Sequence, residues 1–375
     1  MPVTERDTEL MRRALALAVR GRGHVSPNPL VGCVITDASG SVIGEGWHER
    51  YGEAHAEVNA VRNAESNGHS VEGATAYVTL EPCSHHGKTG PCADMLIAKK
   101  IARCVIAMED PYHEVQGRGI KKLRDAGIEV EVGVLEAEAR EIGKFFIKYV
   151  TTGMPYVTMK IAMSLDGKVA LKSGASKYIT SEASRAVVHR MRAEYDAVMV
   201  ASATVISDDP ELTVRLAKGR QPKRIILDAS LRVSEHSKAY SDEHRASTIV
   251  VVNERILTEK KEKAALLSSQ GVTFVPVVTN GEQLDLSTVL QELGKRGIAS
   301  ILIEPGPTLA TTIFAQLLFD ELVLFYAPTV LGDDARSAFG DLHLRSLAAR
   351  ENLTLVRAEG VGESGDVLLE LRLKH

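Results

Sequence analysis

His55-Ala56-Glu57-Val58, then Glu81-Pro82-Cys83, then Pro91-Cys92: the reading of this chain turns on these three short stretches. An imidazole and two thiolates fill three corners of a zinc tetrahedron and leave the fourth for water. Zinc lowers the pKa of such a water towards neutrality, so hydroxide forms without strong base. Glu57 stands two residues past His55, near enough to carry the water's proton while staying off the metal. A closed structural knot would need a fourth protein ligand, for which His85 and His86 are candidates. Two ordinary buried cysteines would need no acid at position 57. The acid beside the histidine favours the catalytic arrangement.

H-x-E followed by P-C-x-x-C is the signature of zinc-dependent base deaminases. Here eight residues, 84–91, separate the two cysteines instead of two. The flanks place the ligands at element ends. Residues 54–66 read as a helix with Val58 and Val61 apolar and a stop at Asn67-Gly68. His55 and Glu57 then sit in its first turn. Residues 74–80 read as a short strand ending at Glu81-Pro82-Cys83. Cys92 opens a second helical run, 92–100, whose first backbone N–H groups favour a thiolate.

The length of 375 residues suits two domains. An apolar content of 44% with 25% charged residues places the chain among soluble globular proteins. Residues 1–150 carry 18 Lys+Arg against 21 Asp+Glu, a balance of -3. The remainder carries 27 against 28, a balance of -1. Neither half is basic, which argues against a nucleic-acid partner and leaves room for a local patch that grips one phosphate. Cys33 and Cys104 lie in apolar strand-like runs and read as core residues. No disulfide framework is suggested, so a reducing compartment is expected. The N-terminal stretch is charged and then amphipathic, unlike a signal peptide, and no apolar run reaches membrane-spanning length. The expectation is a cytoplasmic protein that does not engage a membrane.

Helix and strand alternate along the first half. The pattern predicts a helix over 4–20 and a hairpin, 30–36 and 41–47, around Asp37-Ala38-Ser39-Gly40. After the metal-bearing segments come a strand over 101–107, a helix over 120–126, a strand over 128–134 and an acidic helix over 135–149. This is an α/β layered sheet of about five strands. A boundary falls near 151–155. Beyond it the pattern predicts strands near 156–162, 197–202, 224–228, 247–253, 272–278, 299–303 and 321–326. Helices are predicted near 181–194, 258–269, 284–296 and 307–318. That is a second α/β sheet.

The second half has no G-x-G-x-x-G, so a standard dinucleotide fold is not indicated. It has IEPGPT at 303–308, between a strand and a helix, where backbone N–H groups can face a phosphate. An ordinary strand-to-helix turn reads the same way. Three further loops at element ends are rich in polar groups: 164–168, 176–181 and 204–210. Thr180 or Ser181 is a natural helix cap. Arg192 and Arg215 suit a bidentate grip on an anion, or are simply solvated arginines.

Together these residues resemble one family along almost the whole length, the bifunctional riboflavin-biosynthesis deaminase–reductases. The resemblance is carried by SPNPLVG (26–32), GEGWH (44–48), HAEV (55–58), ATAYVTLEPCSHHGKTGPC (74–92) and MSLDGKVA (163–170). It continues through SATVISDDPELTVR (202–215), IEPGPTLA (303–310) and DELVLFYAPTVLG (320–332). The long spacing between Cys83 and Cys92 is that of this family. The resemblance implies an N-terminal cytidine-deaminase-like α/β/α domain, 1–147, and a C-terminal dihydrofolate-reductase-like α/β domain, 148–375. It implies zinc-dependent deamination of a phosphoribosylated diaminopyrimidinone to the uracil, then NADPH-dependent reduction of the ribosyl group. It also implies a homodimer or larger homo-oligomer.

Residue by residue, His55, Cys83 and Cys92 resemble the family's zinc ligands, and Glu57 its proton carrier. Asn28 and His48 resemble residues lining the pyrimidine pocket. Lys160, Ser176, Arg192, Leu212, Arg215 and Glu304 resemble substrate contacts of the reductase. Met163, Tyr178, Thr204, Asp208 and the turn Gly306, Pro307, Thr308, Leu309, Ala310, Thr311 and Thr312 resemble its NADPH site. Tyr178 stands where the family usually has tryptophan, Met163 where a smaller residue is usual, and Gly143 where asparagine is common. Asp110-Pro111-Tyr112-His113 replaces D-P-N-P in the loop facing the deaminase pocket. A deaminase of nucleosides or nucleic-acid bases would explain only residues 1–145 and would want a basic or aromatic strand-binding surface. A zinc-stabilised sensor of pyrimidines would have no need of Glu57.

Overall fold

The computed structural model describes residues 3–84, 90–112, 115–279 and 283–374. Two compact units divide the chain, Met1–Gly153 and Met154–His375.

The first unit is built on strands β1 (Gly32–Thr36), β2 (Val42–Trp47), β3 (Thr75–Val78), β4 (Arg103–Ile106) and β5 (Glu129–Val132). Their order is β2-β1-β3-β4-β5. β1 runs antiparallel to β2 and β3, while β3, β4 and β5 are parallel. All five residues of β1 are buried, as expected of a strand covered on both faces. Thr4 and Asp7 form a capping box at the start of helix Glu5–Ala18, which buries Leu10, Met11, Ala14 and Leu17. Helix Ala56–Ser66 lies on β2, and the sequence Gly44-Glu45-Gly46 lets it come close. A Cβ on Gly46 would stand 2.4 Å from the Ala60 amide nitrogen, and one on Gly44 2.4 Å from the Ala60 carbonyl oxygen. Both strand positions must lack a side chain for the helix that starts at the candidate metal ligand to sit where it does.

The acidic stretch expected as one helix over 135–149 is two, Glu136–Ile142 and Lys144–Thr152, parted at Gly143. Gly143 has φ -88° and ψ 2°, outside the helical well, and glycine is a poor helix former.

The second unit contains β6 (Tyr156–Ser164), β7 (Lys168–Ala170), β8 (Ala197–Ala201), β9 (Lys223–Leu227), β10 (Thr248–Asn253), β11 (Thr273–Val277), β12 (Ser300–Ile303), β13 (Glu321–Ala327), β14 (Arg336–Ser337), β15 (Leu353–Val361) and β16 (Asp366–Leu373). β7 and β14 form a small ribbon; the rest make one nine-stranded sheet, β11-β10-β9-β8-β12-β6-β13-β16-β15. The strands from β11 to β13 are parallel, and β16 and β15 continue antiparallel. Every residue of β10 is buried, the mark of a parallel strand between two helical layers. β12 inserts between β8 and β6 after the chain has gone out to β11, so the carboxyl ends of β6, β8 and β12 share one edge. That is where open α/β sheets bind ligands.

Several features of this unit differ from the sequence expectation. The polar run 204–210 is mostly helix, Ser202–Asp208, stopped by Asp209 in the left-handed region at φ 42°. The helix expected at 258–269 is two, Glu254–Glu259 and Lys261–Ser269. The hairpin of β15 and β16 was not anticipated. Most of β15 is exposed, so it lacks the one-sided apolar alternation that betrays a strand. Among the described residues, no helix is long and apolar enough to cross a membrane.

Candidate active sites

In the first unit, His55 is the N-cap of helix Ala56–Ser66 and Cys92 the first residue of helix Cys92–Ala98. Cys83 lies in the loop after β3. It satisfies two otherwise unpaired amides at the second helix's start: Cys92 N donates to Cys83 Sγ at 3.2 Å and Ala93 N to the Cys83 carbonyl at 3.1 Å. His55 Nδ1 stands 3.6 Å from Cys83 Sγ and 3.4 Å from Cys92 Sγ. Zinc bonds of about 2.3 Å to sulfur and 2.0–2.1 Å to nitrogen, at a tetrahedral angle, set such pairs roughly 3.5–3.6 Å apart. The donor set and its spacing therefore fit one zinc ion. His85 and His86, the candidates for a closed knot, lie outside the described residues, as does His113.

Hydrogen bonds from Cys92 and His55 hold the Cys83 thiol below the usual thiol range, while the same contact with Cys83, together with burial, pushes Cys92 up. The His55 pKa is raised by its hydrogen bond to Cys83. Glu57 is buried in the first turn of its helix, and burial pushes its carboxyl up to about 7, with Cys83 adding to the shift.

His55, Glu57 and Cys83 open onto a cavity of about 360 Å³. Asn28, His48, Asp110, Tyr112 and Phe146 line it too. His48 Nδ1 is 3.1 Å from the Ala54 carbonyl, which can only accept, so this nitrogen carries the proton. Burial lowers the His48 pKa, which favours the neutral ring. Its Nε2 then accepts from Asn28 Nδ2 at 3.1 Å, fixing the amide so that the Asn28 oxygen is the end left to a ligand.

Glu81 was read only as a strand-end residue. Its buried carboxylate accepts from four backbone amides: Asp110 (3.1 Å), Gly117 (2.9 Å), Gly119 (2.7 Å) and Ile120 (3.2 Å). It thereby ties the Cys83 loop to the start of helix Arg118–Asp125, where a Cβ on Gly119 would meet the Pro82 carbonyl at 2.0 Å. A helix start favours an anion, which is why an acid serves here.

In the second unit, β6, helix Glu182–Glu194 and the end of β12 bring Lys160, Arg192 and Glu304 together. Arg192 grips Glu304 bidentately, Nε–Oε1 2.6 Å and Nη2–Oε2 3.0 Å, and Lys160 Nζ stands 3.9 Å from Oε2. Burial would raise the Glu304 carboxyl, but the charges of Arg192 and Lys160 outweigh it and hold the pKa at about 2. Burial lowers the Lys160 pKa. Leu212 and Arg215 lie on the segment after Pro210, Leu212 buried in a left-handed conformation at φ 57°. A Cβ on Gly306 would fall 3.6 Å from Thr204 Oγ1, which places Thr204 beside the turn at the start of helix Pro307–Ala315. Leu309 and Ala310 turn their side chains into the core, so only their backbone can meet a ligand. Thr311 Oγ1 bonds Pro307 O and accepts from Gly340 N, and Thr312 Oγ1 bonds Thr308 O.

Four predicted residues of this unit remain. Met163 is a core residue of β6. Ser176 is half-buried in the loop after β7. Asp208 is exposed and accepts from Ser207 Oγ. Tyr178 is 76% exposed, has φ 69°, and carries Arg185 over its ring at 4.8 Å. The sequence reading missed His189, which is buried beside the cluster. Its place three residues before Arg192, on the same helical face, was the available signal.

The geometry defines a class: a zinc-dependent deaminase unit followed by an α/β reductase unit. Residues 4–108 match the cytidine and deoxycytidylate deaminase zinc-binding region, and residues 155–365 match the RibD C-terminal domain. The chain is 42% identical to the riboflavin biosynthesis protein RibD of Aquifex aeolicus over 362 residues, covering 96% of this chain and 97% of that protein. It is 42% identical to RibD of Escherichia coli over 378 residues, covering 97% and 99%. A solved structure of Acinetobacter baumannii RibD superposes with a TM-score of 0.88 at 38% identity, covering 99% of both chains. A Thermotoga maritima deaminase/reductase superposes at 0.86 with 35% identity, covering 98% and 99%. The chain belongs to the RibD family. It is a bifunctional deaminase and reductase of riboflavin biosynthesis, with zinc and NADPH as cofactors.

Proposed function

We propose that this chain converts 2,5-diamino-6-(5-phosphoribosylamino)pyrimidin-4(3H)-one to 5-amino-6-(5-phosphoribosylamino)uracil and ammonia. It then reduces the ribosyl group, giving 5-amino-6-(5-phosphoribitylamino)uracil. The observation that carries the reading is the convergence of His55, Cys83 and Cys92 within reach of one ion, with buried Glu57 in the same cavity. We assign deamination to residues 1–147 and reduction to 148–375, a division supported by the separate family matches.

His55, Cys83 and Cys92 would hold the zinc, which supplies an activated water at neutral pH. Glu57 would accept one proton from the attacking water and pass it to the ring nitrogen, then take the second from the hydroxyl formed at the ring carbon and give it to the amine as the C–N bond breaks. The Asn28 oxygen, fixed through His48, accepts from the pyrimidine edge. In the second unit, Arg192, Arg215 and Ser176 hold the sugar phosphate, with Leu212 against it, while Lys160 and Glu304 face the ribose. NADPH supplies the hydride. Met163, Tyr178, Thr204, Asp208 and the turn from Gly306 to Thr312 bind it. We further propose a cytoplasmic homodimer or larger homo-oligomer. The exposed Leu355 and Val356 of the edge strand β15 support association.

The test is a paired assay on the full chain: zinc content and ammonia release with the diaminopyrimidinone, then NADPH oxidation on the deaminated product. One zinc per chain and two successive activities are expected. Ammonia release from cytidine or from single-stranded DNA, with none from the phosphoribosylated pyrimidine, would overturn the reading.

A further inference from the structure

The segment Glu211–Arg215 is irregular yet largely buried, with Leu212, Thr213 and Val214 at 2%, 5% and 7% exposure. Buried backbone must find hydrogen-bond partners, and a segment outside any sheet has no neighbouring strand to provide them. Here side chains stand in for the strand. The Glu211 carbonyl accepts from Arg224 Nη1 at 3.1 Å, and the Thr213 carbonyl from Arg192 Nη1 at 3.0 Å. Gln221 takes both groups of Val214, accepting from its amide at 2.7 Å and donating to its carbonyl at 2.9 Å. The Arg215 amide donates to His189 Nδ1 at 3.0 Å. Leu212, in the middle, sits in the left-handed region at φ 57°, a conformation that costs a leucine energy and persists only where its surroundings impose it.

We propose that His189 and Gln221 are positioning residues of the reductase: they hold Val214 and Arg215 so that Leu212 and Arg215 meet the phosphosugar of the substrate. Neither residue need touch that substrate. His189 can serve only as the neutral ring with Nδ1 unprotonated, because an imidazolium has no acceptor. Its surroundings enforce this: burial first, then the charges of Arg192 and Arg215, bring its pKa down to about 4. The ladder also explains why Arg192 does two jobs, gripping Glu304 with one face and the Thr213 carbonyl with Nη1. This inference rests on the proposed assignment of Leu212 and Arg215 as substrate contacts.

The experiment is steady-state reductase kinetics on the full-length protein with the deaminated phosphoribosylaminouracil, for His189→Leu, His189→Asn, Gln221→Met and Arg215→Ala. Leucine at 189 leaves the Arg215 amide without a partner, and asparagine offers an oxygen near the position of Nδ1. His189→Leu and Gln221→Met are expected to raise the substrate KM roughly tenfold, the scale of an unsatisfied buried amide, with the NADPH KM unmoved. His189→Asn should recover most of that loss. A tenfold rise in Arg215→Ala with unchanged KM in His189→Leu and Gln221→Met would overturn the positioning role and leave the site assignment standing. An unchanged KM in Arg215→Ala would instead sink the assignment beneath it. Gln221 is exposed, so Gln221→Met tolerates the change and carries the test alone should His189→Leu fail to fold.

Discussion

Glu57 and Glu304 are two carboxylates taken out of water, one in each unit, and their surroundings drive them in opposite directions. No arginine or lysine pairs with Glu57 among the described contacts, and burial lifts it to about 7. Glu304 is held by Arg192 and Lys160 and falls to about 2. An acid that must pass protons has to be free of an arginine or lysine that would hold it charged. An acid that must stay charged needs one, because an unpaired buried charge is costly. The neighbours, more than burial itself, separate a proton carrier from an electrostatic fixture.

The sharpest break of this comparison removes the cation's seat in the first unit. Cys92→Ser leaves two protein ligands, too few for a tight site, and metal binding at such sites is worth on the order of 10 kcal/mol. Zinc content and ammonia release should both fall to background while NADPH oxidation on supplied intermediate continues. Full zinc with full ammonia release would make Cys92 a mere core residue.

Exchanging the proton carrier should have a smaller effect on a different observable. Glu57→Gln keeps shape and polarity and removes the proton carrier, so deamination should drop by about 10²–10⁴-fold with zinc retained. Loss of stoichiometric metal in this variant would make Glu57 a ligand.

Glu304→Gln probes the other half of the comparison. It leaves Arg192 and Lys160 facing each other without their anion, and breaking a buried pair from one side costs about 3–5 kcal/mol. Denaturant unfolding of the second unit should show a loss of that order. The wild type should show a related acid sensitivity. A carboxyl depressed to about 2 when folded, against an ordinary 4.3 or so, stabilises above the ordinary value. That stability is lost as pH falls from about 4.5 towards 2. In Glu304→Gln this part of the acid transition should be absent.

The deaminase centre was the more legible of the two because its parts are close in sequence and stand at element ends. His55 and Glu57 share one helical turn, and Cys83 and Cys92 flank one loop. The reductase centre is assembled from residues 160, 192, 215 and 304, whose meeting depends on β12 returning between β8 and β6. Spacing along the chain says nothing of that return; resemblance named the residues, and the sheet order explains their convergence. Glu81, His189 and Gln221 escaped notice because each binds backbone amides or carbonyls. Such work has no residue pattern of its own. The helix Ser202–Asp208 was missed because serine, threonine and aspartate are common in loops and caps. The alternation of strands and helices as far as β13 was largely readable from apolar runs, and the hairpin of β15 and β16 was not.

The smallest expected effect falls on the residue least tied to either acid. Tyr178 is an exposed aromatic with a left-handed backbone, stacked by Arg185, in the loop that leads to the Ser181 cap. A bulky residue held at positive φ stores strain, and such residues gather at ligand sites. If its free face packs on the nicotinamide cofactor, Tyr178→Ala should weaken NADPH binding by about 1 kcal/mol, the scale of an aromatic pair beyond area burial. That is roughly a fivefold rise in Kd. The substitution keeps a Cβ at positive φ, so the backbone strain stays, and it removes only the stacking with Arg185; unfolding stability should move by less than the binding does. Ammonia release should be untouched, because that chemistry belongs to the first unit. The measurement is NADPH titration beside ammonia release on one preparation. An unchanged NADPH affinity would remove Tyr178 from the cofactor site and leave its strained backbone as a device for setting the Ser181 cap. A loss of both activities would mean that the exposed ring serves folding or assembly, and the separation of the two centres would then be less complete than their opposed acids suggest.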